Sequence, residues 1–245
     1  MARIVARNAG IFAGGRNLTG RLNTAAFSLT AEAPDVTVFG DDDRERLSGG
    51  IKDAELSFSG FYDASGSQIG ESLKDLLTGS TYYGFYYQST GGASAPGREF
   101  GGVMTEYTLD ESVEGAAAVS ATVSGSSPIY LSLSLGNYAL SGQNTTASTG
   151  DSVDFAGSTA NQITVFRVMG LGRSNGNEEV SACFQHSAND SAWTTACVFT
   201  TASSGSSIEY TVTCSASRYR RLRYKFSGTS PFSASIMASS GSLAS

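Results

Sequence analysis

The sequence of 245 residues is poor in what most enzymes and metalloproteins need. It has one histidine, one tryptophan, four prolines and three cysteines, and only 16% of its residues are charged. The single imidazole, His186, would have to carry any Ser-His-Asp or Cys-His catalysis alone, and no Ser and Asp pair stands in a recognised relation to it. We therefore predict that the protein is not an enzyme.

The cysteines and acidic residues do not form a motif for a bound metal. Cys183, Cys197 and Cys214 are odd in number and widely spaced, which fits neither a disulfide framework nor a zinc site and indicates buried or half-buried free thiols in a reducing compartment. A calcium loop that begins at Asp41 would need Gly and Glu where Arg46 and Lys52 stand. We expect no metal. No phosphate-binding or dinucleotide-binding glycine motif is present, so we expect no cofactor.

Long apolar runs are also missing. No run approaches the roughly 18 residues that are needed to span a bilayer, and the first residues lack the apolar core of a signal peptide. These observations predict synthesis in the cytoplasm and no membrane partner.

Glycine, serine, threonine and alanine are abundant, and this composition predicts an all-β fold with many short strands. The first half shows alternating residues over 51–62, further strands over 24–39, 82–88, 101–109 and 113–124, and one short amphipathic helix over 70–78. The glycine-bounded charged segment Gly40–Gly50 is predicted to be a loop. Residues 1–24 carry four arginines without a periodic pattern and are predicted to form an extended arm.

The second half predicts a separate domain. Residues 131–150 are rich in Ser, Thr, Gly and Asn and are predicted to be a linker, and six strands at regular spacing over residues 151–245 indicate a β-sandwich. Trp193 and Tyr210 are candidates for exposed aromatic side chains that bind a ligand there. The basic stretch Arg218–Lys225 is either a solvated strand face, which we favour, or a nucleic-acid patch.

Charge is distributed unevenly between the halves. Residues 1–130 contain 16 acidic and 9 basic side chains, a net charge of −7, whereas residues 131–245 contain 6 and 7, a net charge of +1. An acidic first half repels the nucleic-acid backbone, so tight DNA binding is not expected of it.

Residues 1–130 resemble the tube domain of the major tail-tube proteins of long-tailed bacteriophages. The resemblance rests on the order of an arginine-bearing arm, VFGDDDRERLSGG, DAELSFSGFYD, ESLKDLLTG and EFGGVMTEYTLDESVEGAAAVSATVSGSSPI. Residues 151–245 are similar to the β-sandwich modules that decorate phage structural proteins. The resemblance implies a virion structural protein of the tail, made in the host cytoplasm, which forms stacked, hexameric rings as a conduit for DNA ejection.

The resemblance also implies roles for particular residues. Contacts between subunits and between rings would involve Arg3, Arg7, Arg16, Asp41, Asp42, Asp43, Arg44, Glu45 and Arg46. The side chains of Glu55, Ser57 and Ser59 would line the lumen. The implied partners are further copies of the chain, the tape-measure, tail-terminator and distal tail proteins, and DNA that passes without specific binding.

One alternative function remains open from the sequence. The chain would be a phage or surface adhesin, a β-sandwich protein that binds carbohydrate through its second half. This alternative requires Trp193 or Tyr210 to be exposed beside polar groups in a groove.

Overall fold

The computed structural model describes residues 9–19, 22–33, 35–38, 46, 52–61, 73, 76–77, 79–86, 93–110, 117–142, 147–172, 179–202, 208–227 and 232–243. Strands account for most of these residues, so the predicted all-β fold is confirmed. The strands within the described residues are β1 (Gly10–Ala13), β2 (Arg16–Asn17), β3 (Leu22–Ala31), β4 (Lys52–Phe61), β5 (Ser80–Tyr86), β6 (Pro96–Asp110), β7 (Ala118–Gly142), β8 (Ser148–Thr149), β9 (Val153–Asp154), β10 (Thr159–Gly172), β11 (Glu179–Ser187), β12 (Thr194–Ala202), β13 (Ile208–Ala216), β14 (Tyr219–Ser227) and β15 (Phe232–Leu243).

The strands form two sheets. The larger has the order β13-β10-β15-β7-β6-β5-β1-β2, and β4 pairs with both β7 and β3. The smaller has the order β12-β11-β14-β8, and β9 also pairs with β14. The pairings whose registers are described are antiparallel, as expected for strands that are joined by short turns.

The chain divides into two compact units. The first consists of Met1–Arg21, Thr81–Gly101 and Pro128–Ser245, and the second of Leu22–Ser80 and Gly102–Ser127. The first unit contains the whole smaller sheet and most of the larger one.

The core of the first unit is formed by side chains from both sheets. Phe166 of β10 and Ile236 of β15 lie in one apolar cluster with Phe184 of β11 and Leu222 of β14, and each of the four is at most 1% exposed. These residues alternate with others along their strands, so one face of each sheet packs into a β-sandwich.

Strand β10 is buried on both of its faces. Residues 162–169 are all buried, although alternate side chains of a strand point in opposite directions. Phe166 and Val168 point into the sandwich core, so Val165 and Arg167 point to the other side of the sheet. The other side therefore needs polar partners for a charged residue.

A buried charge network supplies these partners. Arg167 and Glu99 are both 0% exposed, and the guanidinium donates from Nη1 to Oε1 and from Nη2 to Oε2 of Glu99, each at 2.8 Å. Its Nε donates to Oε2 of Glu209 at 2.9 Å. Glu99 Oε1 also accepts the hydroxyls of Tyr86 at 2.5 Å and Ser239 at 2.9 Å. Five strands thus contribute to one cluster of hydrogen bonds.

The arginine of the network keeps its charge, and the larger sheet curls around the network. Burial lowers the pKa of Arg167, but the carboxylates of Glu99 and Glu209 raise it, and the net shift is upward. The other oxygen of Glu209, Oε1, accepts the backbone N–H of Tyr82 at 2.9 Å and the hydroxyl of Thr81 at 3.0 Å. These bonds join β13 to β5, which are five places apart in the larger sheet. The sheet must therefore curl over the network.

The described part of the N-terminal segment differs from the extended arm that was predicted for residues 1–24. Residues 10–17 are not an extended arm, because β1 and β2 pair as an antiparallel hairpin and β1 also pairs with β5. Gly14 and Gly15 form its turn at φ 51° and 76°, where glycine is favoured. Ile11 and Phe12 are 2% and 0% exposed, so burial of apolar surface holds the hairpin in its own chain.

Residues 131–150 were predicted to be a linker, but most of them form strands. Residues 131–142 continue β7 without interruption, and residues 130–142 pair with β15. The physical reason is the alternation of Leu131, Leu133 and Leu135 with serines, which is a strand pattern inside a segment of linker-like composition. That residues 151–245 form a separable domain stays a prediction, and the pairing of β7 with β15 weighs against it.

Two further predicted elements lie mostly outside the described residues. In the predicted helix at 70–78, the N–H of Leu76 donates to the carbonyl of Leu73 at 2.9 Å, and both side chains are buried. In the predicted loop Gly40–Gly50 only Arg46 is described, and it forms an isolated antiparallel bridge with Asp35. The helix and the loop as wholes stay predictions.

We expect Arg167→Met to lower the free energy of unfolding by about 3–5 kcal/mol, because the substitution leaves buried carboxylates without their cation. Urea unfolding followed by circular dichroism measures this loss. The control is Arg218→Met, which removes a two-bond pair with Asp154 whose side chains are 48% and 42% exposed. The control should change stability far less. Equal losses in both variants would contradict the central role of the network.

Candidate functional site

The part of the larger sheet that lies in the second unit has one buried and one polar face. Along β4 the side chains of Leu56 and Phe58 are at most 3% exposed, and the residues between them face the opposite side. The alternation predicted for residues 51–62 is therefore confirmed. Glu55, Ser57 and Ser59, the residues predicted to line a lumen, lie together on the polar face.

The polar face extends over three strands. Residues that are paired in register point to the same side of a sheet. The partners of Glu55, Ser57 and Ser59 are all small: Ser28, Ala26 and Thr24 on β3, and Ser124, Thr122 and Ser120 on β7. Of these nine described residues only Glu55 is charged. We call this set the small-polar face.

Hydrogen bonds link the side chains of the small-polar face. The hydroxyls of Thr24 and Ser59 are 2.5 Å apart, and the Ser59 hydroxyl also donates to Oδ1 of Asn23 at 3.0 Å. A register shift between Leu22 and Thr24 allows two consecutive residues of β3 to contact Ser59. The hydroxyls in this part of the face are thereby engaged with one another.

Strand β3 forms an edge of the sheet. Among the described strands its only neighbour is β4. The outer edge of such a strand presents backbone N–H and C=O groups to a strand of another molecule. Its small residues and its single described neighbour make β3 suited to sheet extension.

The charged loop and the N-terminal arginines are described only in part. Asp35 lies where the chain enters the loop, and its Oδ1 accepts the hydroxyl of Thr37 at 2.5 Å and the N–H of Thr37 at 3.0 Å, which lowers the pKa of Asp35. Arg46 is exposed, and Arg16 is half-buried on β2. The remaining predicted contact residues lie outside the described residues: Arg3, Arg7, Asp41, Asp42, Asp43, Arg44 and Glu45.

The two aromatic candidates for ligand binding lie in different environments. Tyr210 packs against the sandwich core, with its ring centroid 6.5 Å from that of Phe166 and 6.4 Å from that of Phe199. Trp193 is half-buried, and the guanidinium of Arg221 lies 4.0 Å from its ring centroid. The packing of Tyr210 and the contact of Arg221 with Trp193 each cover part of the ring surface on which a sugar would have to stack.

The basic strand β14 is split between two faces. Arg223 and Lys225 are exposed, whereas Arg220 is 1% exposed and lies 3.9 Å from the ring centroid of Phe155. Burial lowers the pKa of Arg220 to about 10. The inward position of Arg220 was not predicted from the sequence, although the alternation of this strand places it on the same side as Leu222 and Tyr224.

His186 has a local structural contact. Its Nδ1 accepts the N–H of Ser217 at 3.1 Å and lies 3.0 Å from the Ser217 hydroxyl. The shallow pocket beside it is lined by small residues and contains no described carboxylate.

Among the described residues, no group of three His, Cys, Asp or Glu side chains is placed to hold a metal ion. No helix in this part of the chain has the length and apolar character that crossing a membrane requires.

Comparisons with known proteins gave matches to solved structures alone. No family model matches the sequence. No curated protein matches it either. A protein of the tail of an empty gene transfer agent particle with C6 symmetry is 17% identical, with a TM-score of 0.43 over 53% of this chain and 98% of that one. A protein of the native gene transfer agent virion is 18% identical, with a TM-score of 0.43 over 52% and 97% of the two chains.

A third structure matches over more of the chain. The Dit protein of phage SPP1, from the hub adsorption apparatus of phages that infect Gram-positive bacteria, is 11% identical, with a TM-score of 0.36 over 94% of this chain and 98% of that one. All three TM-scores lie below 0.5.

The two faces of β4 predict opposite outcomes for the same substitution. Ser57→Lys should leave the protein folded with a small change in its midpoint of urea unfolding, because a lysine on the small-polar face stays hydrated. Leu56→Lys buries a charge and should destabilise the second unit by several kcal/mol, by about the cost of an unpaired buried charge. Circular dichroism and limited proteolysis check both variants. A folded Leu56→Lys protein would show that the faces are assigned the wrong way round.

Proposed function

We propose that this chain is a structural protein of a bacteriophage tail, which assembles with copies of itself into stacked, hexameric rings that form the tail tube. In the virion it lines the conduit through which DNA is ejected. It is synthesised in the host cytoplasm, and it meets the tape-measure, tail-terminator and distal tail proteins in the finished tail. The proposal does not include an enzymatic activity.

The small-polar face is the observation that carries this proposal. A sheet that lines a tube needs one face packed against its own subunit and one face in water, without bulky side chains that narrow the channel. The described part of β4 has this arrangement, with Leu56 and Phe58 buried and Ser57 and Ser59 on the other side. The edge strand β3 supports the proposal, because sheets that join across subunits close into a barrel and remove their exposed edges.

Charge supports the proposed conduit. Asp53 and Glu55 are exposed on β4, and the alternation of the strand places both acidic side chains on the side of the small-polar face. Acidic groups repel phosphates, so a wall of this kind lets DNA pass without holding it. Weak interaction with DNA is the property that a conduit needs.

The adhesin alternative receives less support from the contacts of its candidate residues. Tyr210 is engaged with Phe166 and Phe199, and Arg221 covers the ring of Trp193. A sugar-binding surface would have to displace these contacts or use other residues.

Negative-stain electron microscopy of the purified full-length protein tests the proposal. We expect six-fold rings, and tubes of stacked rings at higher protein concentration. Rings that never stack would point to a different ring-forming protein of the tail. A monomer at all concentrations, with bound carbohydrate on a glycan array, would favour the adhesin alternative.

The charged loop provides a prediction about stacking. Asp41, Asp42, Asp43 and Glu45 are proposed to pair with arginines of a neighbouring subunit, which would set the register of the contact more than its strength. Changing all four to Ser should leave the monomer folded but reduce the fraction of rings in tubes, and changing them to Lys should reduce it further. Circular dichroism provides the control for folding. Normal tubes from the Lys variant at physiological salt would show that the loop is only a solvated turn.

The proposed conduit also predicts how the protein responds to DNA. Assembled wild-type protein should show no measurable duplex binding at physiological salt, because the first half of the chain has a net charge of −7. The double variant Glu55→Lys, Ser57→Lys should bind duplex DNA with an affinity that falls steeply as salt rises. Fluorescence anisotropy measures both. Micromolar binding by the wild-type protein would contradict a repelling wall and direct attention to Arg223 and Lys225.

A further inference from the structure

Two cysteines from different sheets meet at one side of the first unit. Cys197 lies on β12 of the smaller sheet, where it pairs with Phe184, and Cys214 lies on β13 of the larger sheet, where it pairs with Gln162. The two strands come close together. Both cysteines are half-buried and pack against the same sandwich core, each on the side of its strand that faces the other sheet. The pair therefore lies at a place where the sheets have no shared backbone hydrogen bonds.

The surroundings of Cys214 favour its thiolate. The neighbouring thiol of Cys197 has the largest effect, and Nε2 of Gln162, which donates to the Cys214 Sγ at 3.8 Å, the hydroxyl of Thr164 and the charge of Arg220 act in the same direction. Together they lower the pKa of Cys214. The same contact with Cys214, together with burial, raises the pKa of Cys197. The two thiols thus differ in reactivity, with Cys214 as the better nucleophile.

We propose that Cys197 and Cys214 are an oxidisable pair that forms a disulfide between β12 and β13 when the protein meets a small disulfide oxidant such as oxidised glutathione. The Cys214 thiolate attacks one sulfur of the oxidant and releases one glutathione thiolate, which leaves a mixed disulfide on Cys214. Cys197 then loses its proton and attacks the Cys214 sulfur, which releases the second glutathione thiolate. Two protein thiols are oxidised by two electrons, and the oxidant is reduced to two thiols that take up the released protons.

The third cysteine is a built-in control. Cys183 lies next to Phe184 on β11, and Phe184 points into the core on the side of Cys197. Since neighbouring side chains of a strand alternate, Cys183 points to the opposite face of the smaller sheet, where it pairs with Val198 and Arg223. It is therefore predicted to take no part in the disulfide.

The disulfide would tie together two sheets that are separate in their hydrogen bonding. Its main effect should be on unfolding, because a cross-link restricts the unfolded chain. We expect oxidation to raise Tm by on the order of 5–10 °C in a chain of this size. Addition of dithiothreitol should reverse the rise.

The test uses full-length protein and the variants Cys183→Ser, Cys197→Ser and Cys214→Ser, each incubated with oxidised glutathione under native conditions. Residues 174–217 contain no Lys or Arg, so trypsin leaves all three cysteines on one peptide. Chymotrypsin is suitable instead, since cleavage after Phe184, Trp193, Phe199, Tyr210 and Tyr219 places each cysteine on a separate peptide. Mass spectrometry without reduction then identifies the linked pair.

We expect the wild-type chain to lose about 2 Da and to fall from three free thiols to one, with the peptides of Cys197 and Cys214 joined. Cys183→Ser should behave in the same way. Cys197→Ser should stop at the mixed disulfide with glutathione on Cys214, and Cys214→Ser should form no internal link. Thiols that stay free in the native protein but react after unfolding would overturn the proposal, and so would a link that includes Cys183.

Discussion

The contact between Arg167 and Glu99 is the constraint on which the first unit depends. Both groups are fully buried, so neither can recover its hydration, and every hydrogen bond of the pair must be supplied by protein. Tyr86, Ser239 and Glu209 supply them from three other strands. Buried polar groups of this kind add little to stability compared with apolar packing, but they tolerate few alternative arrangements. The network therefore specifies how far the larger sheet curls and which strands meet.

The second unit follows a different physical principle. Its small-polar face has no network of buried charge among the described residues and relies on short hydroxyl side chains, such as those of Thr24 and Ser59, that bond to one another. The apolar residues of β4 are buried, while its other face and the edge strand β3 are left for water or for another molecule. In the proposed tube, the buried polar groups of the first unit would be paired within the subunit. The backbone groups at the edge strand β3 of the second unit would be paired by neighbouring subunits.

The strands were predictable from the sequence because their signal is local. The alternation over residues 51–62 predicted β4 and the side chains of its polar face. The regular spacing over residues 151–245 predicted a series of strands there, which the structure shows as β9 to β15. Two elements were not predicted: the hairpin at Gly14 and Gly15, and the continuation of β7 past Leu131. Both segments are rich in glycine or serine, which are typical of loops, and this composition obscured the apolar residues of the strands. The Arg167 network could not be predicted, because Arg167 lies 68 residues from Glu99 and 42 residues from Glu209 along the chain and no local pattern links them.

The sequence separation within the network has a consequence for synthesis on the ribosome. Glu99 emerges well before its cation, Arg167, and before the hydroxyl donor Ser239, which lies 140 residues later. Until those residues are made, a compact first unit would enclose an uncompensated carboxylate, which is strongly unfavourable. The complete network therefore cannot form on the nascent chain until Ser239 has been made. Chains that stop before Ser239 would lack part of the network and would be more open to proteases.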